Sequence, residues 1–144
     1  MDLLKIASVP AATVSPTSTV IDAVRLMNDR RVGAVAVTES NKLTGIFTER
    51  DLMIRVVLEG KDPSDTPVKD VMTERPVAVN KNVSMGEALS MMSEHHFRHL
   101  PVVDEDDTVM GLLSVRDVLS NRVDKLGQEL DSVVAFFTAD GPGG

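Results

Sequence analysis

Two seven-residue segments hold the residue types best suited to chemistry in this chain. They are Gly45-Ile46-Phe47-Thr48-Glu49-Arg50-Asp51 and Gly111-Leu112-Leu113-Ser114-Val115-Arg116-Asp117. Each reads glycine, two apolar residues, a hydroxyl, a variable residue, arginine and aspartate. A hydroxyl followed three residues later by a carboxylate is a helix-start pattern: the hydroxyl accepts from a free backbone N–H, and the carboxylate sits at the positive end of the helix dipole. The same geometry suits a nucleotide. Free N–H groups at a helix start attract phosphate, and an aspartate there can accept both hydrogen bonds of a ribose cis-diol. Thr48 or Ser114 can reach ribose or phosphate, and Arg50 or Arg116 can neutralise phosphate charge. The apolar strand residues would wall a slot for a flat base, its edge read by the backbones near Thr13-Val14 and Ala78-Val79. Capping and binding both stand as readings of these residues.

The elements that must position the two segments form a repeat. A shift of 65 lays Val14 on Val79, Ala23 on Ala88, Met27 on Met92 and Val37 on Val102; a shift of 66 then lays Gly45 on Gly111, Arg50 on Arg116, Asp51 on Asp117 and Val57 on Val123. The extra residue falls in the acidic turn Asp104-Glu105-Asp106-Asp107. Val20, Ala23, Val24 and Met27 share a helical spacing with Met85, Ala88, Leu89 and Met92, one apolar stripe per copy, with Thr19 and Ser84 as N-caps. A short β-rich run follows each helix, Val32 to Val37 and Leu100 to Val103. Then come a polar turn, a second strand (Leu43 to Thr48, Val109 to Ser114) and a helix, near Glu49 to Leu58 and from Val115 onward. The unit is an extended lead-in, helix, strand, strand, helix. Each copy is marginal in size for its own core, so the two are expected to share one pseudo-twofold globule. The expected divisions are 1–62, 63–123 and a C-terminal helix and loose tail at 124–144. Gly60 to Pro67 reads as linker and Val68 to Met72 as a helical turn.

Arg98 and His99 enter a strand that should be mostly buried. Either they lie at its exposed end or they point into the cleft between repeats and bind an anion. The first copy has Val32-Gly33-Ala34-Val35-Ala36-Val37 there, so the two clefts should be unequal. His95 and His96, neighbours on a helix end, point about 100° apart, which favours a solvated helix end over a metal site. Met27 with Met53, and Met91 with Met92, read as core fillers. Leu119, Val123, Leu126, Leu130, Val133 and Phe137 form a heptad seam. It packs on its own domain or on a second copy. Gly127 inside it, about 1 kcal/mol worse than Ala in a helix, is a place to bend or break.

Composition removes whole classes. Among 144 residues, 15 are basic and 22 acidic, a net charge of −7 that argues against a nucleic-acid surface. No apolar stretch is long enough for a membrane span, and Met1 to Ala12 lacks a signal-peptide pattern. With no Cys there is no disulfide, thiolate zinc site or cysteine nucleophile, which fits a cytoplasmic setting. There is no Walker loop, no Gly-x-Gly-x-x-Gly and no Gly-x-Ser-x-Gly elbow. Stacking is left to four Phe and three His.

Over about residues 13–123 the chain resembles tandem cystathionine-beta-synthase (CBS) domains, the Bateman module, and is closest to small stand-alone members. The resemblance rests on Thr13-Val14-Ser15-Pro16, Thr19-Val20-Ile21-Asp22-Ala23, the two glycine-to-aspartate segments, Val68-Lys69-Asp70-Val71-Met72-Thr73 and Arg98-His99-Leu100-Pro101-Val102-Val103. It implies an α+β fold of two β-α-β-β-α repeats packed sheet to sheet with pseudo-twofold symmetry, two clefts between them, and a homodimer. It implies a non-enzymatic regulatory sensor of an adenosine nucleotide, AMP or ATP ahead of ADP, NAD or S-adenosylmethionine, acting on an unidentified partner protein, with no required cofactor. Asp51 and Asp117 would hold ribose, Thr48 and Ser114 take the family's hydroxyl position, and Arg98 and His99 match a phosphate-contacting pair. Ala34 and Ala36 stand in the first repeat where the second has His99 and Pro101. The competing reading is a dimeric interaction scaffold with empty or vestigial clefts.

Overall fold

The computed structural model describes residues 2–139; the tail Asp140–Gly144 and its expected looseness lie outside the described residues. Helix α1 (Val20–Arg30) starts where the Thr19 hydroxyl accepts from the Asp22 N–H at 3.3 Å. It buries Val20, Ala23 and Met27 and ends at Arg31 in the left-handed region, φ 54°. Helix α3 (Met85–His95) repeats this design. The Ser84 hydroxyl accepts from Glu87 N–H, Ala88 and Met92 face the core, and His96 closes it with φ 58°. These side chains are the stripes read from sequence, now packed on sheets.

The first sheet has the order β1-β2-β3-β4, from β1 (Thr13–Val14), β2 (Ala34–Glu39), β3 (Lys42–Thr48) and β4 (Thr73–Glu74). The second has the order β5-β6-β7, from β5 (Val79–Asn80), β6 (His99–Val103) and β7 (Val109–Ser114). In each, the lead-in strand runs parallel to its neighbour and the next pair is antiparallel. The registers also agree: Val14 lies beside Val37 as Val79 lies beside Val102, and bulges fall at Val37/Thr38 and Val102/Val103. The β2–β3 hairpin turns at Ser40 and Asn41, both with positive φ (50° and 66°), as a two-residue primed turn requires.

The repeat extends further toward the N-terminus than its sequence match shows. Two short 3₁₀ turns, Leu3–Lys5 and Val68–Asp70, precede the first and second units respectively. Each packs on the other unit. Leu3 is buried with Val79, Ala88, Leu100 and Leu113 in the second core, while Val68 and Val71 are buried with Val20, Val35 and Phe47 in the first. Behind each turn the chain crosses the edge of that same sheet. Ser8 pairs with Leu112 through two backbone hydrogen bonds, and Thr73 pairs with Ile46. The crossing chains pass over Gly45 and Gly111. A Cβ on Gly45 would collide with the Met72 sulfur, and one on Gly111 would lie 3.0–3.2 Å from Leu4, Val9 and the Ser8 carbonyl. Glycine heads both segments because a second backbone lies against it. A consequence is testable at the far N-terminus: Leu3→Ala should cost about 3 kcal/mol of unfolding free energy in a urea titration, whereas a change under 0.5 kcal/mol would show that this segment is not part of the second core.

The sheets meet through Ala34, Ile46 and Leu112, with Ala11 beside them. Small residues on β2 let the strands of one unit approach those of the other. At the hairpin turns the units also interlock: Leu43 N–H donates to Asp107 O, Val109 N–H donates to Asn41 O, and Lys42 Nζ donates to Asp106 O at 2.6 Å.

Four expectations need correction. The helix after β3 is α-helical only over α2 (Glu49–Asp51) and continues as a π-helical segment, Leu52–Val57. Met53 is 55% exposed, so it is not a core filler, although Met27, Met92 and the partly buried Met91 do pack inside. Helix α4 (Val115–Ala139) runs through Gly127 without a break. Its seam does not pack on its own domain: Leu119, Val123, Leu126, Leu130 and Val133 are all more than half exposed. Phe137 lies in α4, but its side chain lies outside the described residues. No helix among the described residues is long and apolar enough to cross a membrane.

Candidate functional site

In the second repeat the backbone delivers Ser114 and Asp117 to one place. β7 ends beside the start of β6, His99 opposite Ser114, and the Val115 N–H donates to Arg98 O at 2.9 Å. The chain then turns into α4. The Ser114 hydroxyl accepts from Asp117 N–H at 2.9 Å, and Asp117 Oδ2 accepts from Ser114 N–H at 3.2 Å. This reciprocal cap uses one carboxylate oxygen. The other, Oδ1, makes no hydrogen bond or ion pair among the described residues. One turn further along α4, the Asn121 Oδ1 is buried and also lacks a partner. Buried acceptors are normally satisfied, so the Asn121 oxygen is an exception in this helix.

In the first repeat the corresponding groups are spent. Thr48 and Asp51 form the full capping box, and Asp51 Oδ2 accepts from Thr48 N–H at 3.0 Å and from the Thr48 hydroxyl at 3.2 Å. Asp51 Oδ1 lies 3.6 Å from Arg55 Nε and 3.5 Å from the Thr73 hydroxyl. Asp51 is 8% exposed, the only charged side chain among the described residues that is buried. Arg55 is held in turn by donating to Met72 O at 2.7 Å. The matching position in the second repeat is Asn121, which brings no cation.

Arg98 and His99 part company. Arg98 is exposed, whereas His99 is partly buried and lies across the unit boundary against Gly33, whose Cβ position would fall 3.2 Å from His99 Nε2 and close to the Glu49 carboxylate. Burial pushes the His99 pKa below its ordinary 6.5 and is the largest influence; Glu49 and Asp117 oppose it and Arg98 adds to it. His99 therefore stands between the helix starts of both repeats, with a carboxylate from each. The pH consequence has a definite sign. Below about 6.5 the unfolded chain takes up a proton on this residue before the native chain does, so stability falls as pH drops from 6.5 toward the lower native value, then levels off. His99→Gln should flatten that stretch of the Tm–pH curve. A variant curve parallel to that of the unaltered protein would mean the imidazole is as solvated in the fold as outside it.

The remaining candidates are spread around this centre. Arg50 and Arg116 are exposed on the first turns of their helices. Thr13 and Val14 lie beside Ala36 and Val37, so β2 separates them from β3 and Thr48 by about 10 Å. Val79 is buried against Val102, and Pro101 is buried opposite Leu112. Ala78 lines a cavity of about 220 Å³ with Leu43, Arg75, Pro76 and Asp107, away from Ser114 and Asp117. A cavity of about 260 Å³ by Asn80, Lys81 and Asp104 holds none of the candidates. His96 caps α3 and His95 stacks on Phe97 at 5.3 Å; among the described residues the three histidines form no metal-holding group.

Sequence reasoning missed three residues. Glu49 stood at the variable position of its segment. Arg55 was legible as an Asp-to-Arg spacing of four on a helix. Thr73 reaches Asp51 only because β4 crosses β3, which nothing local announces.

A model of the CBS domain matches residues 4–58 and 68–124. The chain is 38% identical over 112 residues to the CBS domain-containing protein YhcV of Bacillus subtilis, spanning 78% of this chain and 79% of that one. Longer CBS domain-containing proteins of Arabidopsis thaliana match over 90% of this chain but only 24% of their own length in the case of CBSCBSPB2, at 39% identity. Among solved structures, the CBS-domain containing protein ATU1752 of Agrobacterium tumefaciens superposes with a TM-score of 0.74 at 29% identity, over 85% of this chain and 99% of that one. The CBS domain protein PAE2072 of Pyrobaculum aerophilum, complexed with AMP, shares the fold with a TM-score of 0.74 at 23% identity, over 81% and 89%. The chain belongs to the CBS domain family and carries two tandem repeats.

Proposed function

We propose that this protein is a non-enzymatic regulatory sensor that binds an adenosine nucleotide, AMP or ATP in the first instance, at the edge of the second repeat. Asp117 Oδ1 would receive the ribose hydroxyls, Ser114 would line the sugar, and His99 with Arg98 would meet the phosphate. The observation that carries this reading is the contrast between the two aspartates. Asp51 is engaged by Thr48, Arg55 and Thr73, whereas Asp117 keeps an oxygen that makes no hydrogen bond or ion pair among the described residues. The AMP complex of PAE2072 supports the ligand class, and the −7 charge is no obstacle to a nucleotide whose phosphate meets the exposed Arg98 guanidinium. The protein is cytoplasmic in this reading and signals to an unidentified partner by a change of angle between repeats, which requires unequal ligand affinity for the two states.

Isothermal titration with AMP, ATP, NAD and S-adenosylmethionine tests it, because the absence of Trp and Tyr also makes any co-purified adenine plain at 260 nm. Saturable binding of one of them at one site per chain is the expected result; no heat from any at millimolar concentration would refute it. A second reading, an interaction scaffold with a vestigial first cleft, is favoured by the spent Asp51. Both readings include a homodimer, which the exposed α4 seam supports.

A further inference from the structure

The C-terminal part of α4 runs beyond the matched family segment, which ends at residue 124, and its seam side chains are exposed. Leu119, Val123, Leu126, Leu130 and Val133 alternate in steps of four and three, which places them in one stripe that a second helix would cover. The side chains flanking that stripe decide which helix. In a parallel pair, Arg122 would face Gly127 and Glu129 would face Val134, so neither charge would be answered. In an antiparallel pair like flanks face like, and three registers keep the seam in contact. Sliding one heptad one way sets Glu129 against Glu129; sliding the other way sets Arg122 against Arg122. The register between them opposes Val123 to Leu126 and Leu119 to Leu130, and sets Arg122 against Glu129 twice. Both charges are exposed and make no ion pair among the described residues. On the other flank this register sets Gly127 against Ser120. Nothing lies within 4 Å of the Cβ position of Gly127, so the helices can close there.

We propose that α4 pairs antiparallel with α4 of a second copy of this chain in that register, Arg122 of each facing Glu129 of the other. This rests on the homodimer reading above and adds the surface, the direction and the alignment. About 30 Å of helix from each copy takes part. In this pairing the glycine that weakens an isolated helix gives the partner helix room to pass.

The chain has no cysteine, so introduced ones report cleanly. Leu119→Cys and Leu130→Cys are made separately in the full chain. In the proposed register neither can link to itself, since equal positions lie about 16 Å apart along the axis. An oxidised equimolar mixture should give a disulfide-linked dimer on a non-reducing gel. Self-linking of each single variant would establish a parallel pair and overturn the proposal. No linking in any sample would also overturn it. Sedimentation equilibrium of the unaltered chain then separates the two ideas: a dimer leaves the homodimer reading standing on another surface, and a monomer removes both. Independently, Arg122→Glu should raise the dimer dissociation constant roughly tenfold, and adding Glu129→Arg should restore it. A double variant no tighter than the single one would show that the two side chains do not meet.

Discussion

Replacing Asp117 with alanine should lower AMP affinity about a hundredfold while costing only about 1 kcal/mol of stability. The stability loss is the cap: one hydrogen bond from Ser114 N–H at a helix start. The affinity loss is larger because a carboxylate that accepts two hydroxyls contributes about 3 kcal/mol to binding, each charged hydrogen bond being worth about 1.5. Asp51→Ala should reverse the pattern. It deprives the Thr48 N–H and hydroxyl of an acceptor and leaves Arg55 without its carboxylate. Because Asp51 is buried, the expected cost is about 2 kcal/mol, with affinity changed less than threefold. Titration calorimetry and urea unfolding on the two variants check both halves. Equal affinity losses would mean both repeats hold ribose; stability losses alone would mean both aspartates serve only their helices.

The second large effect belongs to the glycines. Gly45→Val should destabilise by about 3 kcal/mol or more, lowering Tm by roughly 10 °C. The new side chain would meet Met72 and the Thr73 carbonyl, and the backbone of β4 cannot yield without losing its pairing to β3. Gly111→Val should behave alike against Leu4, Val9 and Ser8. Gly86→Val, on the exposed side of α3 with nothing within 4 Å, is the control and should leave Tm within about 2 °C. If Gly45→Val melted with that control, the crossing of the segments over the sheets would be wrong.

What was legible in the sequence was what short-range periodicity records. The stripes of α1 and α3, their Thr19 and Ser84 caps, the paired hairpins and the doubled Gly-to-Asp segment could all be read, because each depends on residues within one turn or one strand. The exchange of N-terminal segments could not. Leu3 and Val68 stand 65 residues apart, as the repeat demands, but the match through residues 2–12 is in size and burial rather than identity, and nothing local tells Leu3 which core it will enter. The role of the two glycines was hidden for the same reason: only the crossing chain explains them. The π-helical winding of Leu52–Val57 also left no mark, since a period read over six residues does not separate it from an α-helix.

At the site, Ala34 against His99 marked the two repeats as different, but the difference between Asp51 and Asp117 was not read. Arg55 neutralises Asp51, and Asn121 takes its place in the second repeat, leaving Asp117 only half used. That difference is four residues beyond the motif and becomes visible only when the helix places both side chains on one face.

The most direct test of the claim that Asp117 holds a ribose is a cycle of two ligands and two proteins. AMP and its 2′,3′-dideoxy analogue are titrated into the unaltered protein and into Asp117→Ala. The unaltered protein should prefer AMP about a hundredfold and the variant should not distinguish the two, so that the carboxylate and the diol account for each other's loss. A variant that still prefers AMP as strongly as the unaltered protein would place the sugar elsewhere and contradict the assignment.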